Sequence, residues 1–411
     1  MRAVRFASYF FPLKNRWVSA RNIAEVSTEL EHKNPTPKRQ ARVHKVEPQS
    51  HVYATSDFHD HRAMQLVFLG TSSSVPTCNR NNSCIALRLV GTVYLFDCGE
   101  GAQKQIIKTP FQQRGVDKIF ITHMHGDHIF GLPGVLIGLT LCPSKGKDPI
   151  EIYGPQGLRN WLRVTLNASY VRVPTKYVVH ELILKKDSST KFSLESHKKE
   201  VLHEDELQGR DIYQSKDGLW DLFSDGNYRV QAGLVKHSIP CWGFVLEEHT
   251  RIGRFMVEHA ERLGVEPGEK RALLQQGQSV FVDGKQIKPS DVLGPPRRGR
   301  KVVILGDTYN PSSLQTAAFG ADALVHECTL LEEDGREAFK KAHSTATMAG
   351  KFARIINAES LILTHFGGKF TTANCINNSV NAARKAFGKT NVLAASDLLA
   401  VTIRFPDDDH V

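Results

Sequence analysis

The chain has 411 residues, 41% hydrophobic and 23% charged, with 18 histidines and a formal net charge of +10. That composition excludes a disordered, collagen-like or disulfide-scaffold protein, and the length allows two or three domains or one large α/β domain with insertions. The charge hints at an anionic partner, but half of it sits in residues 1–62, which hold 11 Lys or Arg against 6 Asp or Glu.

In chain order, positions 1–24 carry Arg2, Arg5, Lys14, Arg16 and Arg21 and no Asp or Glu. Phe6, Tyr9, Phe10, Leu13 and Trp17 give the same stretch an apolar side. A basic, acid-free, amphipathic segment reads as an organelle transit peptide. The expected address is mitochondrial; the alternatives are a plastid, or the cytoplasm or nucleus if the segment is not an address. Residues 31–63, rich in Pro, Lys, Arg, His and Ser without periodicity, read as linker. The N-terminal extension thus spans 1–63, and the ordered body, 64–411, begins at Met64.

Within the body, 65–69 is a β-run ending at Gly70, and 83–90 and 92–97 are strands joined at Gly91. Residues 100–108 look helical, and 116–122 is a buried strand running into His123. The longest apolar stretch, 129–142, is broken by Gly131, Pro133, Gly134 and Gly138. It falls short of the roughly 20 residues of a membrane span, so it reads as a buried helix or turn. Residues 157–168 have helical periodicity, while 185–227 are polar and irregular and read as an insertion or extended loops. Strands at 228–236 and 242–247 flank His237, and 249–298 is a second, charged insertion. The strand 301–305 feeds Asp307, strands 323–326 and 361–364 flank a helix at 345–357, and 398–405 closes the body as a strand. Hairpins followed by strand–helix alternation describe a layered α/β sandwich. The seven cysteines include no C-x-x-C pair, so disulfides are not indicated and a reducing compartment is expected.

The strongest chemical signal is Thr122-His123-Met124-His125-Gly126-Asp127-His128, directly after an apolar strand. His and carboxylate are the usual ligands of a catalytic zinc. His123 and His125 point one way, and Asp127 and His128 fall on the next bend, where they can face a second metal. Further ligands must come from distant strand ends. His237, Asp307 and His365 each lie just past an apolar strand, and Asp97, at another strand end, can orient a ligand histidine.

This pattern resembles the metallo-β-lactamase superfamily, and within it the ribonuclease Z family of tRNA 3′-processing endonucleases. The resemblance runs through Leu69-Gly70-Thr71-Ser72-Ser73-Ser74-Val75-Pro76, Phe96-Asp97-Cys98-Gly99-Glu100-Gly101 and Leu305-Gly306-Asp307-Thr308. It continues in Val325-His326-Glu327-Cys328-Thr329, His343-Ser344-Thr345 and Leu363-Thr364-His365-Phe366, covering about residues 64–405. It implies a four-layer αβ/βα metallo-β-lactamase sandwich with an inserted flexible arm at about 249–298.

By the same resemblance, His123, His125 and His237 would hold one zinc, Asp127, His128 and His365 a second, and Asp307 would bridge them. Asp127 would also orient and deprotonate the attacking water. Glu327 and His343 would form the pair that protonates the leaving 3′ oxygen. The implied activity is removal of the 3′ trailer from precursor tRNA, leaving a 3′-hydroxyl, by a homodimer with no membrane association. The other reading is a hydrolase of the same superfamily acting on small phosphodiesters or thioesters. The arm would grip the tRNA through a tip that includes Gly268, Lys270 and Arg271. A loop with Thr77 and Arg80 would sense the nucleotides after the cut. Two departures stand out: Cys78 occupies a position where many members have Lys or Pro, and Gly367-Gly368-Lys369-Phe370 replaces the common S-x-R-Y. Residues 185–227 receive no role.

Overall fold

The computed structural model describes residues 52–55, 64–111, 115–140, 149–173, 175–184 and 202–406. The transit-peptide reading at 1–24 and residues 185–201 of the first insertion lie outside these residues. A ten-stranded sheet runs in the order Val52–Thr55, Ala400–Ile403, Met64–Gly70, Cys84–Leu89, Thr92–Phe96, Val116–Phe120, Ile150–Pro155, Tyr177–Ile183 and Glu206–Leu207; Asp211–Tyr213 also pairs with Tyr177–Ile183. A seven-stranded sheet runs Trp220–Ser224, Tyr228–Val235, Cys241–Glu248, Lys301–Ile304, Ala323–Glu327, Ser360–Thr364 and Val392–Ala394.

The period-two alternation of the strands sorts side chains into layers. In Met64–Gly70, Leu66 and Phe68 face the second sheet and pack with Phe244, Leu246, Val302 and Ile304. Val67 and Leu69 face the opposite way, into a core shared with Ala102, Ile106, Leu132, Leu136, Leu158 and Leu162 of three helices. The outer face of the second sheet, with Val303, Leu324 and Leu361, packs on Ala349, Phe352, Val380 and Ala383. Each sheet is therefore apolar on both faces, which produces the four-layer αβ/βα order.

Several expectations need correcting. Val52–Thr55 lies inside the segment read as linker, yet it pairs antiparallel with Ala400–Ile403, so sheet structure begins before Met64. The part of 185–227 that is described is not irregular: it carries Glu206–Leu207, Asp211–Tyr213 and Trp220–Ser224. Trp220 is buried against Trp242, rings 5.9 Å apart. These strands are short, and pairing with their neighbours orders them. The second insertion is a folded module with helices Val257–Arg262, Glu269–Gln275 and Pro289–Val292 and a hairpin of Val280–Val282 and Lys285–Ile287. Its own small core holds Ala260, Val265, Leu274, Val280, Ile287 and Val292. Strands Ile150–Pro155 and Tyr177–Ile183 and the 15-residue helix Ala373–Phe387 were not expected from the sequence. Among the described residues no helix is long and apolar enough to cross a membrane.

Both sheets place parallel strand ends on one edge. Val116–Phe120 runs parallel to Thr92–Phe96, and Lys301–Ile304, Ala323–Glu327 and Ser360–Thr364 run parallel to one another. Open α/β sheets bind ligands at such carboxyl ends. Gly306 lets the two edges close on each other, since a Cβ there would lie 2.7 Å from the Thr122 Cβ and 2.5 Å from the Cys241 Sγ.

Candidate metal centre

The loop after Val116–Phe120 delivers its side chains through a bent backbone. His123 leaves the strand buried, and the short helix Gly126–Ile129 turns Asp127 and His128 inward. The donor atoms fall into two main groups, each with all atoms within 4.8 Å of one another. One contains His123, His125, His237 and Asp307, the other contains Asp127, His128 and His365, and His343 forms a third close group with Asp307 and His365. In the first, His123 Nε2 lies 2.9 Å from His125 Nδ1, which lies 3.3 Å from His237 Nε2. In the second, His365 Nε2 lies 3.2 Å from His128 Nε2 and 3.4 Å from Asp127 Oδ2. Asp307 Oδ2 sits between them, 3.7 Å from His123 Nε2 and 3.5 Å from His128 Nε2. Three nitrogens and a carboxylate oxygen in one group, and two nitrogens with a carboxylate in the other, fit divalent transition metals such as zinc.

The ligands are aimed by other groups. His128 Nδ1 donates to Asp97 Oδ2 at 2.7 Å. Asp97 also accepts from the Thr122 N–H at 2.8 Å and its hydroxyl at 2.9 Å, and that hydroxyl faces His123 Nδ1 at 2.9 Å. His237 Nδ1 donates to the Ala342 carbonyl at 2.8 Å, and Thr329 Oγ1 meets His365 Nδ1 at 2.9 Å. The Ser74 N–H donates to Asp127 Oδ2 at 2.7 Å. Ser74, Asp97, Ala342 and His365 all have positive φ, between 56° and 60°. Such strain clusters where surrounding structure over-determines a site. Ser74 and Ala342 act through their backbone, which leaves no side-chain signal in a sequence. Thr329 lies within the quoted H-E-C-T segment, where that signal was available.

Electrostatics divide the donors: burial works against protonation of His128, but Asp307 and then Asp97 outweigh it and push its imidazole well above the ordinary range, a proton that a metal would displace. Burial, then the neighbouring His128, pushes His123 well below the ordinary histidine range, so its ring is neutral with a lone pair to give. Burial opposes ionisation of Asp307, but His365 and His128 outweigh it and hold its carboxyl well below the usual carboxylate range. Next to this lies the Glu327–His343 pair, with Nδ1 3.0 Å from Glu327 Oε1. Glu327 also accepts from the Thr308 N–H at 2.7 Å, which fixes the carboxylate. Burial works against protonation of His343, but Glu327 outweighs it and pushes the imidazole up to about 9.

The residues proposed for RNA contact do not converge on the centre in the same way. Thr77 Oγ1 accepts from the Arg80 N–H at 3.1 Å inside the loop. The Arg80 guanidinium turns inward, to Thr71 Oγ1 at 2.6 Å and the Ala395 carbonyl at 2.8 Å, over the Phe366 ring. Gly268 precedes the helix Glu269–Gln275 with φ 135°, and Lys270 is exposed. Arg271 is committed within the arm, to the Val265 carbonyl at 2.9 Å and to Glu261 at 3.6 Å. A further close group, His203, Glu204 and Asp205, is structural. His203 Nε2 meets the Val171 carbonyl at 3.1 Å, and Asp205 holds Lys176 and the Val173 N–H, each at 3.0 Å.

Residues 64–177 match the family model of the anti-Pycsar protein Apyc1. The ribonuclease Z of Prochlorococcus marinus (strain MIT 9312) is 38% identical over 346 residues, which is 83% of this chain and all of that protein. The zinc phosphodiesterase ELAC protein 1 of Homo sapiens is 39% identical, over 75% of this chain and 87% of its own length. The crystal structure of the short form of human tRNase Z superposes with a TM-score of 0.58 at 30% identity, covering 83% of this chain and 100% of the other. A long-form RNase Z from yeast shares the fold, at a TM-score of 0.54 and 16% identity, over 84% of this chain and 42% of that one.

Proposed function

Because the chain belongs to the ribonuclease Z family, we propose that it is a zinc-dependent endoribonuclease that removes the 3′ trailer of precursor tRNA and leaves a 3′-hydroxyl on the tRNA. The observation that carries this reading is the meeting of two donor groups at Asp307 with the Glu327–His343 pair beside them. His123, His125 and His237 would hold one zinc and Asp127, His128 and His365 the other, with the Asp307 carboxylate between the two groups. When bound at these residues, zinc would supply Lewis acidity for activating water and for offsetting charge on the phosphoryl oxygens.

The chain's own groups do the rest. Asp127, held by the Ser74 N–H at 2.7 Å, takes the proton of the attacking water. Glu327 holds the Nδ1 proton of His343, so Nε2 carries the second proton and delivers it to the leaving 3′ oxygen. The phosphate stays on the trailer. The module at 249–298 grips the tRNA away from the cut. The acid-free segment 1–24 supports a mitochondrial address, which an import assay reads. The family resemblance supports a homodimer, which sedimentation reads.

The test is incubation of purified protein with a 3′-extended tRNA, with and without chelator, and mapping of the cut. A chelator-sensitive cut after the discriminator base is expected. Turnover of small phosphodiesters with the precursor left intact would replace this reading with that of a small-substrate hydrolase.

A further inference from the structure

Two aromatic rings flank the candidate centre, and neither the donor groups nor the Glu327–His343 pair uses them. Phe339 is 73% exposed, in the short helix Ala338–Lys341 whose Ala338 is buried. Its ring meets that of Tyr309 at 5.0 Å between centroids, with the planes at 54°. A ring left this far in solvent gains little from burial, so packing does not explain its place.

Short links tie the pair to the centre. Tyr309 follows Asp307 by two positions, and its N–H donates to the Lys236 carbonyl at 3.1 Å, immediately before His237. On the other side, the His343 N–H donates to the Ala338 carbonyl at 3.1 Å. The His237 and His343 rings lie 5.0 Å apart. Tyr309 and Phe339 therefore stand on the rim where His237 and His343 face each other, with Lys236 and Lys340 exposed beside them.

We propose that Tyr309 and Phe339 form a stacking platform for one nucleobase of the single-stranded 3′ segment, next to the bond that is cut. The proposal rests on the tRNA-nuclease reading above. Two rings at 54° make an open corner, in which a base lies on one face and meets the other ring edge-on. Stacking suits a trailer of variable sequence, because every base offers a π-face and no hydrogen-bond code is needed. Lys236 and Lys340 are placed to meet the adjoining phosphates.

The test uses the full-length protein and a 3′-extended tRNA, with copies of that substrate made abasic at single nucleotides on either side of the cut. Phe339→Ala raises KM for the intact substrate roughly 5- to 100-fold, the span expected for one lost base–aromatic stack. Phe339→Trp and Tyr309→Phe stay near wild type, and zinc content is unchanged. At one abasic position the difference between wild type and Phe339→Ala disappears. The platform is overturned if KM in Phe339→Ala stays within twofold of wild type, or if its defect survives at every abasic position. A changed sedimentation coefficient in Phe339→Ala would also overturn it, by making the rings a contact between copies of the chain. If wild type leaves the precursor uncut, the nuclease reading falls and takes the platform with it; an active wild type with an indifferent Phe339→Ala sinks the platform alone.

Discussion

Replacing Asp97 with asparagine separates metal affinity from chemistry. Asp97 is 4% exposed, and its Oδ2 accepts from His128 Nδ1 at 2.7 Å and from the Thr122 hydroxyl at 2.9 Å. Having given its proton to Asp97, that hydroxyl accepts from His123 Nδ1 at 2.9 Å. One carboxylate thus sets the tautomers of two imidazoles, one in each donor group, and leaves both Nε2 lone pairs facing Asp307. Asparagine has one acceptor oxygen. If that oxygen stays on the Thr122 N–H, its amide donors face His128 Nδ1, and the ring proton moves to Nε2. Loss of such a partner costs about 10–100-fold in metal affinity, roughly 1.4–2.8 kcal/mol. Because Asp97 serves both groups, the upper end is expected, about 100-fold in total. Backbone strain does not confound the result: φ is 58° at Asp97, a region that asparagine tolerates well and alanine does not. Zinc competition against a chromophoric chelator reads the affinity, and thermal melts of the metal-free protein read the fold. Zinc affinity within threefold of wild type would refute the tautomer argument, and an equal loss of metal-free stability would assign Asp97 to structure.

Other consequences are equally direct. Glu327→Gln and His343→Ala should each slow single-turnover cleavage by about 10²–10⁴-fold with zinc content intact; loss of zinc in parallel would place the pair among the ligands. Asp127→Ala should abolish cleavage while tRNA binding in a gel-shift assay survives, and retained turnover would remove Asp127 from the chemistry. Excising 252–296 joins two segments that already pair at Arg251 and Arg297, so tRNA affinity should fall while hydrolysis of a small phosphodiester persists; equal loss of both would refute a separate arm. Glu151 supplies a pH test. Its contacts with His180 and then Lys118, against burial, hold its carboxyl at about 2, below the ordinary value near 4.3. Its stabilisation is therefore present above about pH 4.3 and lost as pH falls toward 2. Glu151 is 30% exposed, so Glu151→Gln should cost only about 1 kcal/mol at pH 7. In urea melts that gap should narrow below pH 4, and a gap constant with pH would count against the charge pairing.

What the sequence disclosed about the fold followed periodicity. The strands around His123, His237, Asp307 and His365 were legible because apolar runs end at ligand-type residues. The helix Ala373–Phe387 was not expected, although Ile376, Val380, Ala383 and Phe387 recur at helical spacing. Four asparagines and Ser379 crowd the first nine residues and mask that stripe, and packing against Ala346–Ile355 supplies what propensity does not. Trp220–Ser224 was missed because it is only five residues long inside a polar stretch; Trp220 and Leu222 reach the core and Phe223 packs against it.

The site divides along a different line. A metal centre needs several donors at one point, and few residue types can donate, so chemistry alone picks out the His and Asp at strand ends. A phosphate contact needs only a cation that reaches solvent, and sequence does not distinguish that from a cation folded inward. Arg80 and Arg271 illustrate the ambiguity. Both stand in segments that suggest RNA, yet one guanidinium braces Thr71 and Ala395 beneath the loop and the other holds the Val265 carbonyl inside the arm. An arginine's planar donors can also be taken up by carbonyls and hydroxyls within the protein. In this chain two of the suggestive arginines commit them to the loops themselves. In the proposed reading, phosphate contact would then fall to exposed lysines such as Lys270 on the arm and Lys236 and Lys340 beside the centre. Their binding should therefore be salt-dependent and tolerant of Lys-to-Arg exchange, whereas Arg80→Lys, which loses the paired donors, should loosen the loop that carries Ser74 to Asp127.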